Sequence, residues 1–179
     1  MNVPTVLIFM RILCIPLFLV LFFCDWEYGR ILSMFVFVFA SVTDLFDGII
    51  ARRNNQFNAF VKFMDPLADK LLICSALIAL VQAHEIPAWF VIIIVCRDFI
   101  ITGFRMFAAT GGRVLGAVVT GKANTAMQMI LIVLILGNFS WLGTRPALWL
   151  MWFVLVLTVV STIENFVRNK EVFKNIMNK

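Results

Sequence analysis

The chain alternates long apolar runs with short polar breaks. Six runs stand out, near residues 5–24, 30–51, 66–83, 86–108, 120–140 and 146–167. Each is close to the roughly 20 residues a helix needs to cross a hydrocarbon core about 30 Å thick. The pattern predicts an all-α integral membrane protein with about six transmembrane helices. The breaks are short, and no repeat, low-complexity stretch or linker interrupts them, so residues 1–179 are expected to form a single transmembrane domain. The first run has no basic leader and no small-residue cleavage site after it, so it is expected to stay as a helix.

Composition agrees with that pattern. Apolar residues make up 63% of the chain and charged residues only 14%, with a mean hydropathy of +1.00. Soluble domains rarely approach these values. The net charge of +5 matters less than where it lies. Arg52, Arg53 and Lys62 fall between the second and third runs, and Arg105, Arg113 and Lys122 around the join of the fourth and fifth. Arg168, Lys170, Lys174 and Lys179 fill the tail, whereas the opposite breaks hold Arg30 and Arg145 beside Asp25, Glu27, His84 and Glu85. The positive-inside rule then places both termini in the cytoplasm and requires an even number of crossings. With the basic residues spent on loops, no basic face remains for nucleic acid. Cys14, Cys24, Cys74 and Cys96 lie in or beside apolar runs without a C-x-x-C pair, which reads as small buried hydrophobes. His84 is assigned no role.

Against this background the segment from Ser41 to Lys70 is anomalous, because it holds Asp44, Asp47, Asp65 and Asp69. Four deep, unpaired aspartates would cost on the order of 10 kcal/mol to insert. Asp44 and Asp47 are three apart and share a helix face. Gly48 keeps that face open for a ligand, and Arg52 lies one turn further on. Pro66 suits a first helical position, which makes Asp65 the expected N-cap, with Asp69 one turn beyond it. Two helix ends would then present two carboxylates each. Hard oxygen ligands in that number suit one or two Mg²⁺ or Mn²⁺ ions, and such ions suit phosphoryl or phosphodiester chemistry. Each aspartate taken alone has a plainer reading, as a helix cap or as a partner of Lys62, Lys70, Arg52 or Arg53.

The chain reads Asp44-Leu-Phe-Asp47-Gly48-Ile-Ile-Ala51-Arg52, then eight residues, then Val61-Lys-Phe-Met-Asp65-Pro-Leu-Ala-Asp69. This resembles the CDP-alcohol phosphotransferase family, whose motif is D-x-x-D-G-x-x-A-R followed by G-x-x-x-D-x-x-x-D. The runs FMDPLADKLL, IPAWFVIIIVCRDFIITGFR and GKANTAMQM are similar to its bacterial phosphatidylglycerophosphate-forming branch. The resemblance implies transfer of a phosphatidyl group from CDP-diacylglycerol to glycerol 3-phosphate, with release of CMP. It also implies a homodimer among membrane lipids in the bacterial cell (inner) membrane, with the site facing the cytoplasm. By the same resemblance, Asp44, Asp47, Asp65 and Asp69 hold the metal, and Asp47, Gly48, Ala51 and Arg52 hold the CDP moiety. Asp69 serves as the catalytic base. The chain departs from the family pattern at Thr5, Ile8, Val61 and Asn124, where relatives usually carry Asn, Thr, Gly and Lys.

Acceptor choice is expected to rest on the second basic group. Arg97 and Arg105 are eight apart and can share a face of the fourth run, and Lys122 opens the fifth. Together they are the candidate acceptor-phosphate site. Three other readings stay open on the sequence: another alcohol acceptor, an inactive or redesigned homologue, and a cation channel or transporter. The last predicts acids spread along several helices at mid-membrane, whereas these four cluster beside an arginine.

Overall fold

In the computed structural model the backbone is described for residues 3–54, 59–110, 119–138 and 145–169, and the side chains for 5–43, 64–108, 119–138 and 147–169. The described residues form six helices: α1 (Val3–Phe23), α2 (Gly29–Asn54), α3 (Ala59–Gln82), α4 (Ala88–Thr110), α5 (Val119–Gly137) and α6 (Arg145–Arg168). They fall into two compact units. The first holds residues 1–87 and 132–141, and the second holds 88–131 and 142–179.

In the first unit α1 packs on both α2 and α3. Phe18 and Phe37 are fully buried where α1 meets α2, their rings 6.2 Å apart, and Phe22 stacks on Phe18. Gly29 makes the tight return between α1 and α2 possible. A Cβ there would stand 2.6 Å from the Leu21 carbonyl oxygen, closer than any side chain tolerates. Arg30 then ties three element ends together. Its guanidinium donates to the Ile135 and Leu136 carbonyls at the end of α5 and pairs with Glu85 just beyond α3. A cation at a helix C-terminus satisfies carbonyls the helix itself cannot.

The end of α3 has a definite geometry. His84 N–H donates to Val81 O and Glu85 N–H to Leu80 O, the paired bonds of a Schellman cap. That cap puts His84 at φ 59°, where a residue with a Cβ is disfavoured by about 1–2 kcal/mol. His84→Gly is therefore expected to stabilise the protein by about 0.5–1 kcal/mol, after allowing for glycine's freer unfolded chain. Thermal unfolding in detergent reads this, and a lower melting temperature would mean that the imidazole holds something in place.

The start of α3 corrects the sequence reading. The helix begins at Ala59, so Asp65 is not an N-cap, and Pro66 lies inside the helix. An interior proline costs about 3 kcal/mol. On either side of it α3 packs on α1: Ala68 and Ile8 are buried together, with Ile12 and Met64 against them. This apolar contact between α1 and α3 requires helical spacing through Met64 and Ala68, on either side of the proline.

In the second unit α4 and α6 lie against each other. Trp89 in the first turn of α4 meets Trp152 in the third turn of α6, and Phe104 meets Phe166 towards their far ends, so the two helices run parallel. The first half of α5 runs against α6 in the opposite sense. Thr120 bonds Glu164, and Asn124 bonds Thr158.

Among the described residues, three helices are long and apolar enough to cross a membrane, at Thr5–Phe23, Val119–Gly137 and Ala147–Arg168. Apolar side chains such as Leu13, Leu17 and Val20 on α1, and Val156, Val160 and Ile163 on α6, are exposed. Apolar surface of that extent suits lipid rather than water, and the protein is a membrane protein.

Candidate active site

The donor-side residues named from the sequence all belong to the first unit. Asp44, Asp47, Gly48, Ala51 and Arg52 lie on α2, but their side chains are outside those described, as is that of Val61 on α3. Placement along the chain is still informative. Asp47 stands about 10 Å of helix before the end of α2 at Asn54, and Asp65 about 9 Å after the start of α3 at Ala59. Residues 55–58 alone separate the two helices, which touch. The two acidic pairs therefore sit at matching distances from the same connection.

The described half of this acidic group is Asp65 and Asp69, one turn apart on α3. Asp65 is the more open, its side chain 40% exposed. One of its oxygens, Oδ1, accepts from Nη1 of Arg11 at 3.3 Å. Asp69 is more enclosed, with 16% of its side chain exposed, and lies 4.0 Å from the ammonium of Lys70. Arg11 is the single charged residue of α1, and its side chain is fully buried.

Among the described side chains no group of three or more His, Cys, Asp and Glu residues could hold a metal. Asp65 and Asp69 supply two oxygen donors on one helix face, and the other two expected ligands lie on α2. A donor set made only of carboxylate oxygens fits Mg²⁺ or Mn²⁺ rather than a thiolate- or imidazole-bound ion.

The second unit holds a different kind of site, built around Gly121 on α5. A Cβ added to Gly121 would lie 3.7 Å from Nη2 of Arg97, 3.8 Å from Nδ2 of Asn165 and 3.9 Å from Nη2 of Arg105. Two guanidinium groups and one amide thus aim nitrogen donors at the space left by a missing side chain. Arg97 is held firmly there. Its Nη1 pairs with Asp98 at 2.6 Å, its Nη2 donates to Ser161 Oγ at 2.5 Å, and its Nε reaches Thr162 Oγ1 at 3.4 Å. A guanidinium has five N–H groups, so Arg97 keeps two for a ligand. Asn165 is fixed in turn by donating to the Ser161 carbonyl at 2.7 Å. Such a cluster can seat a tetrahedral anion, because guanidinium forks match phosphate oxygens.

The structure brings Arg97 and Arg105 together as the sequence predicts. Lys122 is exposed and follows Gly121 directly, which turns it about 100° away around the helix. Asn124 is fully buried, and its Oδ1 accepts from the Thr158 hydroxyl at 2.9 Å. Arg113 lies outside the described residues.

Comparison with known proteins shows the family. Residues 1–160 match the family described as CDP-alcohol phosphatidyltransferase. The chain belongs to that family. Among its relatives is the CDP-diacylglycerol–glycerol-3-phosphate 3-phosphatidyltransferase of Bacillus subtilis, 38% identical over 97% of both chains. Enzymes of the same name from Rickettsia bellii and Salmonella typhimurium are each 32% identical. They cover 96% and 90% of this chain and 97% and 87% of their own lengths, respectively.

Two parts of this phosphatidyltransferase were missed from sequence. One is Asn165 with its supports Ser161 and Thr162. They were legible as a polar stripe, since Thr158, Ser161, Thr162 and Asn165 recur at helical spacing in an otherwise apolar run. Polar residues on one face of a membrane helix mark an interior or functional surface. The other is Arg11, the lone charge on an apolar helix, for which the sequence offered no partner.

Proposed function

We propose that this phosphatidyltransferase moves a phosphatidyl group from CDP-diacylglycerol to glycerol 3-phosphate, giving phosphatidylglycerol phosphate and CMP. The relatives named above carry that activity in their names. The observation on this chain that carries the reading is the seat at Gly121. Two guanidiniums and an amide converging on one helix position suit an acceptor that bears a phosphate, rather than a neutral alcohol.

Asp44, Asp47, Asp65 and Asp69 are the residues that would hold Mg²⁺ or Mn²⁺, one or two ions. Bound there, the metal would supply positive charge to the donor's diphosphate and to the departing CMP. Asp47, Gly48, Ala51 and Arg52 bind the CDP moiety. The small residues leave room for it, and Arg52 forks onto a phosphate. Arg97, Arg105 and Asn165 hold the acceptor's phosphate, and Lys122 adds charge nearby. The acceptor hydroxyl oxygen attacks the phosphorus that carries the diacylglycerol, and the bond from that phosphorus to the oxygen of CMP breaks. Asp69 takes the hydroxyl proton as the new bond forms.

All six helices cross the membrane in this reading, and both termini are cytoplasmic. The Arg30 cluster supports it, because it gathers the start of α2 and the ends of α3 and α5 on one side. α3 and α4 carry Asp65, Asp69 and Lys70, and Arg97, Asp98 and Arg105, and in this reading most of those charges serve the chemistry. The site faces the cytoplasm of a bacterial inner membrane, and the enzyme works as a homodimer.

The test is release of CMP from CDP-diacylglycerol by the purified protein in lipid nanodiscs, with Mg²⁺ and a panel of acceptors. Glycerol 3-phosphate should be the preferred acceptor, with activity abolished by chelation. Preference for serine, inositol or phosphatidylglycerol would overturn the acceptor assignment. Cation flux into vesicles without CMP release would overturn the enzyme reading.

A further inference from the structure

The Arg11–Asp65 pair is out of place if its purpose is stability. Arg11 is the only charge on α1, and its side chain is wholly buried. Asp65, one of its partners, is among the carboxylates expected to hold metal. The pair is bracketed by packing: Ile8 and Ala68 are buried, with Ile12 and Met64 against them. These residues flank Arg11 and Asp65 along both helices, so the guanidinium has little freedom to move. It binds Oδ1 of Asp65 and leaves Oδ2 outside the pair, on a side chain that is 40% exposed.

We propose that Arg11 is a positioning residue that makes Asp65 a one-oxygen metal ligand and so selects Mg²⁺ or Mn²⁺ over Ca²⁺. This rests on the metal reading of the site given above. A carboxylate whose first oxygen accepts from a guanidinium presents its second oxygen, with both lone pairs open, as the readier ligand. Mg²⁺ and Mn²⁺ accept that arrangement, because a small octahedral ion takes single oxygens at about 2.0–2.2 Å. Ca²⁺ is larger, takes about six to eight oxygens, and gains affinity from carboxylates that give both. Removing the guanidinium would free Oδ1 and let Asp65 turn to grip a larger ion with both oxygens. An arginine serves here because its planar guanidinium holds its hydrogen bonds in a fixed fork.

The test measures metal binding directly. Mn²⁺ is titrated into the full-length protein in nanodiscs without substrate, followed by electron paramagnetic resonance, and then displaced with Ca²⁺. Arg11→Met, which keeps an apolar stem but no donor, should lower the Ca²⁺ concentration for half-displacement at least about fivefold. Arg11→Lys can still donate to Oδ1 and should stay within about twofold of the unaltered protein. Equal displacement curves for all three would overturn the proposal. Should Arg11→Met not fold, infrared difference spectra of the unaltered protein with ¹³C-carboxylate aspartate decide the matter. One-oxygen coordination splits the two carboxylate stretches more widely than in the free ion. A wide pair that appears with Mn²⁺ and disappears in Asp65→Asn is the expected result, and only narrow splitting would overturn it. Failure of the unaltered protein to bind Mn²⁺ would instead bring down the metal reading itself.

Discussion

Gly121→Ala is expected to raise the KM for glycerol 3-phosphate about tenfold to a hundredfold, with the KM for CDP-diacylglycerol nearly constant. The added methyl would take the place where an oxygen of the acceptor phosphate meets Arg97, Arg105 and Asn165. It clashes with none of them, since all three nitrogens stand 3.7–3.9 Å from the new carbon, an ordinary contact. Alanine also favours a helix interior by about 1 kcal/mol over glycine. The variant should therefore melt no lower than the parent while it binds acceptor less well. Loss of one charge-assisted hydrogen bond is worth about 1.5–3 kcal/mol, which sets the size of the effect. Steady-state kinetics with each substrate varied in turn separates the two constants. An unchanged acceptor KM would place the phosphate elsewhere, and a raised donor KM would mean that this seat serves the nucleotide.

Asp69→Asn should lower turnover by about 10²–10⁴-fold, the range found when a positioned acid or base is removed. The amide keeps the size of the carboxylate, so α3 should pack as before around its buried neighbours Ala68, Leu72 and Ile73. It loses the charge and the ability to accept a proton. Quenched-flow measurement of CMP release at saturating substrates reads the chemical step, and circular dichroism with thermal melting checks the fold. Retention of more than about a tenth of the parent rate would remove Asp69 from the proton transfer.

The helices were legible in the sequence because a membrane leaves a chain few choices. Backbone groups with no water to bond must bond within the segment, so a run of about 20 apolar residues becomes a helix whatever its neighbours do. Five of the six runs accordingly began within a few residues of their observed starts. The exception was α3, where Pro66 read locally as a beginning. The helix starts at Ala59 and runs through Pro66, and beyond the proline Ala68 packs against Ile8 of α1, a contact no local rule contains.

The same division holds for the chemistry. Asp44, Asp47, Asp65 and Asp69 were recognisable because their spacing places pairs on one helix face, and spacing is a property of the chain alone. Arg97 and Arg105 were recognisable as costly charges in an apolar run. Their meeting point at Gly121 was not, because it takes three helices to make it: α4 supplies the guanidiniums, α5 the gap, and α6 the amide of Asn165 with Ser161 behind it. Arg11 shows the limit most plainly. The sequence places it at the end of Pro4-Thr5-Val6-Leu7-Ile8-Phe9-Met10-Arg11, a stretch similar to a family motif, but only the packing of α1 on α3 brings Asp65 to it. Sequence by itself determined which segments are helices and which residues can carry charge chemistry, since both follow from local periodicity and solvation. Tertiary structure decided which of those charges meet, because residues 54 positions apart are joined by packing and not by period.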